Sequence, residues 1–221
     1  MPGRPTASTC AGSSSTAPAA QPTTGSCSRG GASLNIEDSV IRNFAAGMGG
    51  NGNGIIVDTN ASALFVSNTV IADNDNSALS IVSGSVSVTV VLSNVSVVRN
   101  GLNVSSPISL YTNGTGSITV TIVDSAIANN SQPAVLAESM AAGVGALNVL
   151  VKNCTISNNI TGIQTFKGGA GVPTIRVSGS TITGNGNGLV SGGGAQLLSY
   201  GDNNLDGNGT DGAFTGTIPR K

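Results

Sequence analysis

The chain is predicted to be all-β, a right-handed parallel β-helix of about six to seven coils with three short strands per coil and inward asparagine ladders. Three observations predict it: a short phrase that returns at intervals of twenty to thirty residues, apolar alternation inside each copy, and a very small share of charged side chains. Only 9% of the 221 residues are Asp, Glu, Lys or Arg, against roughly a quarter in an average soluble domain. Surface helices need long charged side chains, whereas a sheet face of Ser, Thr, Asn and Gly is solvated without them, so the composition favours strands.

The repeat starts at Leu34. A phrase of the type apolar-x-Asn/Asp-x-x-apolar has its polar mark at Asp38, Asn68, Asn94, Asp124, Asn153, Gly179 and Asp202, and successive intervals are 30, 26, 30, 29, 26 and 23 residues. That period belongs to a solenoid. Leucine-rich repeats share it, but their leucine spacing is missing, as is the six-residue subrepeat of left-handed β-helices. Residues 1–33 are rich in Ser, Thr, Pro, Ala and Gly without periodicity and are expected to be a disordered or non-native leader. Residues 34–221 form the single predicted domain.

Alternation assigns the inner faces. Leu64, Val66 and Asn68 fall on one side, as do Val90, Leu92 and Asn94, so each mark is expected to point inward. Three residues after each mark stands an apolar residue (Ile71, Val97, Ile127, Ile156 and Ile182 among them), an odd step that implies a corner. A second inward series is formed by Ile55 with Val57, Leu79 with Ile81, Ile108 with Leu110, Val135 with Ala137, and Ile163 with Thr165. Six residues after the marks come Asn74, Asn100, Asn130, Asn159, Asn185 and Asn208, with Phe44 in the first coil. Stacked at about 4.8 Å per coil, amides in such a column can bond one another and the turn backbone. The marks Asp38, Asn68, Asn94, Asp124 and Asn153 and this second Asn series are therefore assigned to structural ladders.

The formal net charge is −1 and histidine is absent. A phosphate backbone has no basic surface to bind, so nucleic acid is not an expected partner. Ser-His and Cys-His nucleophiles are excluded, and any catalysis would fall to carboxylates, Lys, Arg or Tyr. Cys10, Cys27 and Cys154 are too few and too far apart for a disulfide framework or zinc site; unpaired thiols are expected, with a Cys10–Cys27 bridge as the alternative. No apolar run reaches the length of a membrane span, and Met1 to Pro5 is not followed by the hydrophobic stretch of a secretory signal.

No catalytic, cofactor-binding or metal-binding residue is assigned. Asp38, Asp124 and Asp202 occupy ladder positions, while Asp58, Asp73, Asp75 and Glu138 lie at other phases of the coil. Asp73 and Asp75 read as turn formers beside Asn74. Arg42 and Arg99 fall near one corner two coils apart, and Lys152 and Arg176 are outward on adjacent coils at offset positions. Residues 47–54 and 192–194 are glycine-rich loops without a following helix, hence no phosphate cradle. Triplets such as Asn60-Ala61-Ser62, Asn113-Gly114-Thr115 and Asn159-Ile160-Thr161 match glycosylation acceptors but follow from composition. Phe65, Tyr111 and Phe166 look outward, few aromatics for a carbohydrate platform. A flat threonine face at Thr69, Thr155 and Thr181 is interrupted by Val95 and Ser125.

The repeated phrases, the asparagine series and the run from Ser199 to Gly212 resemble the bacterial right-handed parallel β-helix repeat proteins, relatives in fold of pectate lyases. The likeness covers residues 34–221. It implies an extracellular or cell-envelope location and a non-catalytic scaffold or adhesion role toward a polysaccharide or cell-surface protein. The alternative it implies is a polysaccharide lyase or glycoside hydrolase, or the remnant of one. Such proteins begin with a secretion signal and further coils, so residues 1–33 are expected to be a frame-shifted or non-native start, or the chain a fragment. The coil at Leu34 would then offer an open strand edge for self-association.

Overall fold

The computed structural model describes residues 8–11, 33–47, 50–57 and 63–219. Nearly all of its strands lie parallel in three sheets, and the described residues contain no helix. The first sheet stacks Ser8–Ala11, Leu34–Glu37, Ala63–Ser67, Val88–Ser93, Ile118–Val123, Leu147–Lys152, Pro173–Ser178, Gln196–Ser199 and Gly216–Thr217. The second stacks short strands, Val40–Arg42, Val70–Ala72, Ser96–Val98, Ala126–Ala128, Thr155–Ser157, Thr181–Thr183 and Asn204–Leu205. Strands from Ile55–Val57 to Asn187–Gly192 form the third. The chain visits the sheets in rotation, so each circuit lays one rung on each, about six turns in all.

Registry is strict because β-branched and leucine side chains stack in files. Leu64, Val90, Val120, Val149, Ile175 and Leu197 face one another across the first sheet, and Ile55, Leu79, Ile108, Val135, Ile163 and Leu189 across the third. Ile71, Val97, Ile127, Ile156 and Ile182 form the file of the second. All are buried in one continuous core. Ile127→Ala should therefore cost about 2–5 kcal/mol, while Ser67→Ala on the outer face should cost under about 0.5 kcal/mol. Equal midpoints in a urea titration would contradict this assignment of faces.

The marks turn out differently from their expected orientation. Asp38, Asn68, Asn94, Asp124, Asn153 and Gly179 are exposed and left-handed, with φ between 47° and 57°. A left-handed residue ends the strand and reverses the side on which the next side chain falls. The inward position is thus the following one, held by Ser39, Thr69, Val95, Ser125, Cys154 and Ser180, all buried. Thr69 accordingly faces in while Thr155 is exposed, and these threonines form no common face.

A second left-handed column, Asn43, Asp73, Arg99, Asn129, Asn158, Gly184 and Gly207, closes the short strands with φ from 54° to 67°. Each short strand is therefore framed by two sharp corners. Within the stretch expected to be a leader, Ser8–Ala11 pairs in parallel with Leu34–Glu37; residues 1–7 and 12–32 lie outside the described residues.

Candidate functional site: the outer corner groove

Asn and Asp tolerate the left-handed backbone better than other side-chain-bearing residues, which explains their choice at the marks. The corner turns the mark and the residue two positions later toward each other across an inward residue. Repeated up the solenoid, this makes a longitudinal groove of about 580 Å³. Asn68, Asn94, Asp124 and Asn153 form one wall and the small residues Val70, Ser96, Ala126 and Thr155 the other, above Thr69, Val95 and Ser125. The polar wall is partly knit together. Asn94 Nδ2 donates to Asn68 Oδ1 at 2.8 Å, and Asn153 Nδ2 to Asp124 Oδ1 at 3.2 Å. These bonds join the marks in two pairs, Asn68 with Asn94 and Asp124 with Asn153, on the surface of the solenoid.

Beneath the groove runs a column of hydroxyls. Thr69 Oγ1, Ser125 Oγ and Ser180 Oγ donate to carbonyls two residues back, at 2.7, 2.8 and 3.0 Å. The Ser125 and Ser180 oxygens also accept from the backbone N–H of Val95 and Cys154 in the coil before. Sequence reasoning missed this column, although a small residue directly after each mark was its visible signal. Cys154 occupies one place in it, and burial pushes its thiol pKa up. In a Cys10→Ser, Cys27→Ser variant, Cys154 should ignore a thiol reagent at neutral pH until urea unfolds the chain. Equal rates in both states would contradict the packing.

The other asparagine series is the inward ladder. Asn74 donates to Asn100 at 2.8 Å, Asn100 to Asn130 at 3.3 Å, Asn130 to Asn159 at 2.8 Å, Asn159 to Asn185 at 3.0 Å and Asn185 to Asn208 at 2.9 Å. Every Oδ1 also accepts the backbone N–H of the residue one coil earlier, beginning with Phe44 at 3.2 Å on Asn74. Asp211 ends the column: its Oδ1 accepts both the side chain and the backbone N–H of Asn208, at 2.8 and 3.1 Å.

The remaining candidates are scattered. Asp73 is paired with Arg99, Nε at 2.6 Å and Nη2 at 2.9 Å, an ion pair the sequence did not reveal. Arg99 holds the Asp73 carboxyl below its usual range. Asp75 accepts the Ala46 N–H at 2.8 Å. Arg176 donates to Asn148 at 3.3 Å, whereas Lys152 is exposed. On the outside of the third sheet Tyr111, Glu138 and Phe166 follow one another on successive coils. Burial and then the Glu138 charge push the Tyr111 hydroxyl pKa up. Phe65 lies on the first sheet, away from them. Asp58 and the Asn60-Ala61-Ser62 triplet fall outside the described residues. Among the described residues no three acidic or thiol groups gather as a metal site, and no helix is long and apolar enough to cross a membrane.

Three parallel sheets, a coil repeat set by paired left-handed corners and an interior amide ladder define a β-solenoid. The chain belongs to the family described as the right handed beta helix region, whose model matches residues 24–209. No curated protein and no solved structure matches it.

Proposed function

We propose that the protein is a non-catalytic β-helix acting outside the cell or in the cell envelope of a bacterium, and that the corner groove is where it contacts an extended polysaccharide or a cell-surface protein. The observation that carries this reading is the groove wall, where an amide or, at Asp124, a carboxylate recurs once per coil beside a row of small side chains that leave room for a chain lying along the axis. The spacing of carboxylates along the column of marks supports binding over turnover. Asp38, Asp124 and Asp202 are three coils apart, roughly 14 Å at the usual strand spacing, whereas paired glycosidase carboxylates sit about 5–10 Å apart.

A glycan array probed with the full chain, together with an assay for unsaturated products on polyuronates with and without calcium, tests the proposal. Expected are retention of an extended glycan or surface protein without product, and loss of that retention in Ser96→Tyr, which plugs the groove. Calcium-dependent product would favour the lyase reading, and undiminished binding by Ser96→Tyr would rule out the groove.

Self-association belongs to the same proposal. Among the described residues nothing pairs with the outer edge of Val40–Arg42 or of Ile55–Val57. At the opposite end Phe214 packs on the core and Gly216–Thr217 pairs with Leu198–Ser199, while Asn204–Leu205 ends its sheet. Association of two copies through the Val40–Arg42 and Ile55–Val57 edges is isologous and gives a two-fold pair. Light scattering should detect a dimer at high concentration; a monomer throughout would reject it.

A further inference from the structure

We infer that Asn113-Gly114 is a site of spontaneous covalent modification, in which the side-chain amide is lost and the main chain is rerouted, while the ladder asparagines followed by glycine are protected. The chain places glycine after asparagine at Asn53, Asn100, Asn113, Asn185, Asn187 and Asn208, among others. Such steps are chemically labile because an unhindered backbone nitrogen can attack the neighbouring amide carbon. The Gly114 nitrogen forms a bond to Asn113 Cγ, the Cγ–Nδ2 bond breaks, and ammonia leaves carrying the displaced proton. Water then opens the five-membered imide at either carbonyl, giving Asp or an iso-Asp whose side-chain carbon has entered the main chain. Water is the sole co-reactant and no electrons are transferred.

The fold sorts these steps by whether the attacking nitrogen and the amide are available. Gly101 N–H is bonded to the carbonyls of Asn74 and Asn76, Gly186 N–H to Asn159 and Gly209 N–H to Asn185. Their asparagines are the ladder residues Asn100, Asn185 and Asn208, whose amides are held by the interior bonds described above. Gly54 and Gly188 N–H groups are likewise bonded, to Ser77 and Thr210. Asn113 is different. It is exposed at the corner after the third sheet, and among the described residues its amide has no partner and the Gly114 N–H no acceptor. Glycine is obligatory at 114, since a Cβ there would collide with the Gly84 carbonyl of the preceding coil. The sequence therefore has to keep the least hindered nucleophile next to an exposed amide.

The site is also one where rerouting has consequences. The Gly114 carbonyl accepts from the N–H groups of both Val144 and Gly145 in the next coil, each at 2.9 Å. An inserted main-chain carbon shifts that carbonyl and loosens the corner of two coils.

Incubating the full chain at mildly alkaline pH, followed by digestion and mass spectrometry that separates Asp from iso-Asp, tests the inference. Asn113 should convert more than about tenfold faster than Asn100, Asn185 and Asn208, because attack at a ladder asparagine first breaks a buried hydrogen bond. In denaturing urea the rates should converge, and Asn113→Gln, which would have to close a larger ring, should remove the native-state product. Native conversion of Asn113 no faster than that of the ladder residues would overturn the inference. A difference that persists in urea would do the same, since it would arise from local sequence and not from the fold.

Discussion

Asn130→Ala is expected to lower stability by about 3–5 kcal/mol, more than any surface replacement, because Asn130 stands mid-ladder with every polar atom engaged. Its Oδ1 accepts the backbone and side-chain N–H groups of Asn100 at 2.9 and 3.3 Å. Its Nδ2 donates to the Val97 and Ala128 carbonyls and to Asn159. Alanine leaves the buried Asn100 N–H without an acceptor and takes one of the two donors from Asn159 Oδ1, which keeps only the backbone N–H of residue 130. Asn130→Asp supplies the sharper comparison. A carboxylate here has no proton to give to Asn159 Oδ1 and is cut off from water, so burial raises its folded pKa above the unfolded value. A raised folded pKa means stability that is greatest at low pH and declines as pH rises through that value. Urea midpoints of Asn130→Asp should therefore fall from acid to neutral pH relative to the parent; a flat or opposite trend would show that the ladder site is not dry.

Gly145→Ala is the second large effect, about 3 kcal/mol or more. A Cβ at Gly145 would lie inside van der Waals contact of the Gly116 carbonyl, a rigid main-chain atom in the coil below. Nothing flexible can yield. The proper control is Gly201→Ala, where φ is 80° but nothing lies within 4 Å of the added carbon. There the cost is the left-handed penalty alone, roughly 1–2 kcal/mol. Thermal unfolding of the two variants should rank Gly145→Ala well below Gly201→Ala, and the reverse order would mean that the stacked corner can relax.

The contrast between what the sequence disclosed and what it hid follows from parity. Files such as Leu64, Val90 and Val120 were legible because a strand alternates strictly and the inward residues are large and apolar. The Asn74 to Asn208 series was legible because one residue type recurs at one distance from the mark. Asn68 and its equivalents were assigned to the wrong side because alternation was carried one residue past Ser67, where the strand stops and φ becomes 48°. A single left-handed residue cannot be seen in a hydrophobic pattern. Its only trace in the sequence is the choice of Asn, Asp and Gly, which side-chain ladder bonding explains equally well. The groove was hidden for the same reason, since it exists only when the marks face outward. The Asp73–Arg99 pair joins residues 26 apart and appears only once the coils are stacked, whereas the Asp211 terminus is a local contact three residues from Asn208 that carries no repeat of its own.

The interior ladder has a direction. Each amide gives its hydrogen toward the C-terminal neighbour and receives from the N-terminal one, so the two ends of the solenoid are chemically unequal. Shortening the protein from its front strands a lone pair, which a buried carbonyl oxygen tolerates comparatively well. Shortening it from the back strands an N–H, which is far less tolerated, unless an acceptor such as Asp211 is supplied afresh. Gain and loss of whole coils should accordingly be easier on the Phe44 side, with the acidic stopper kept fixed at the other.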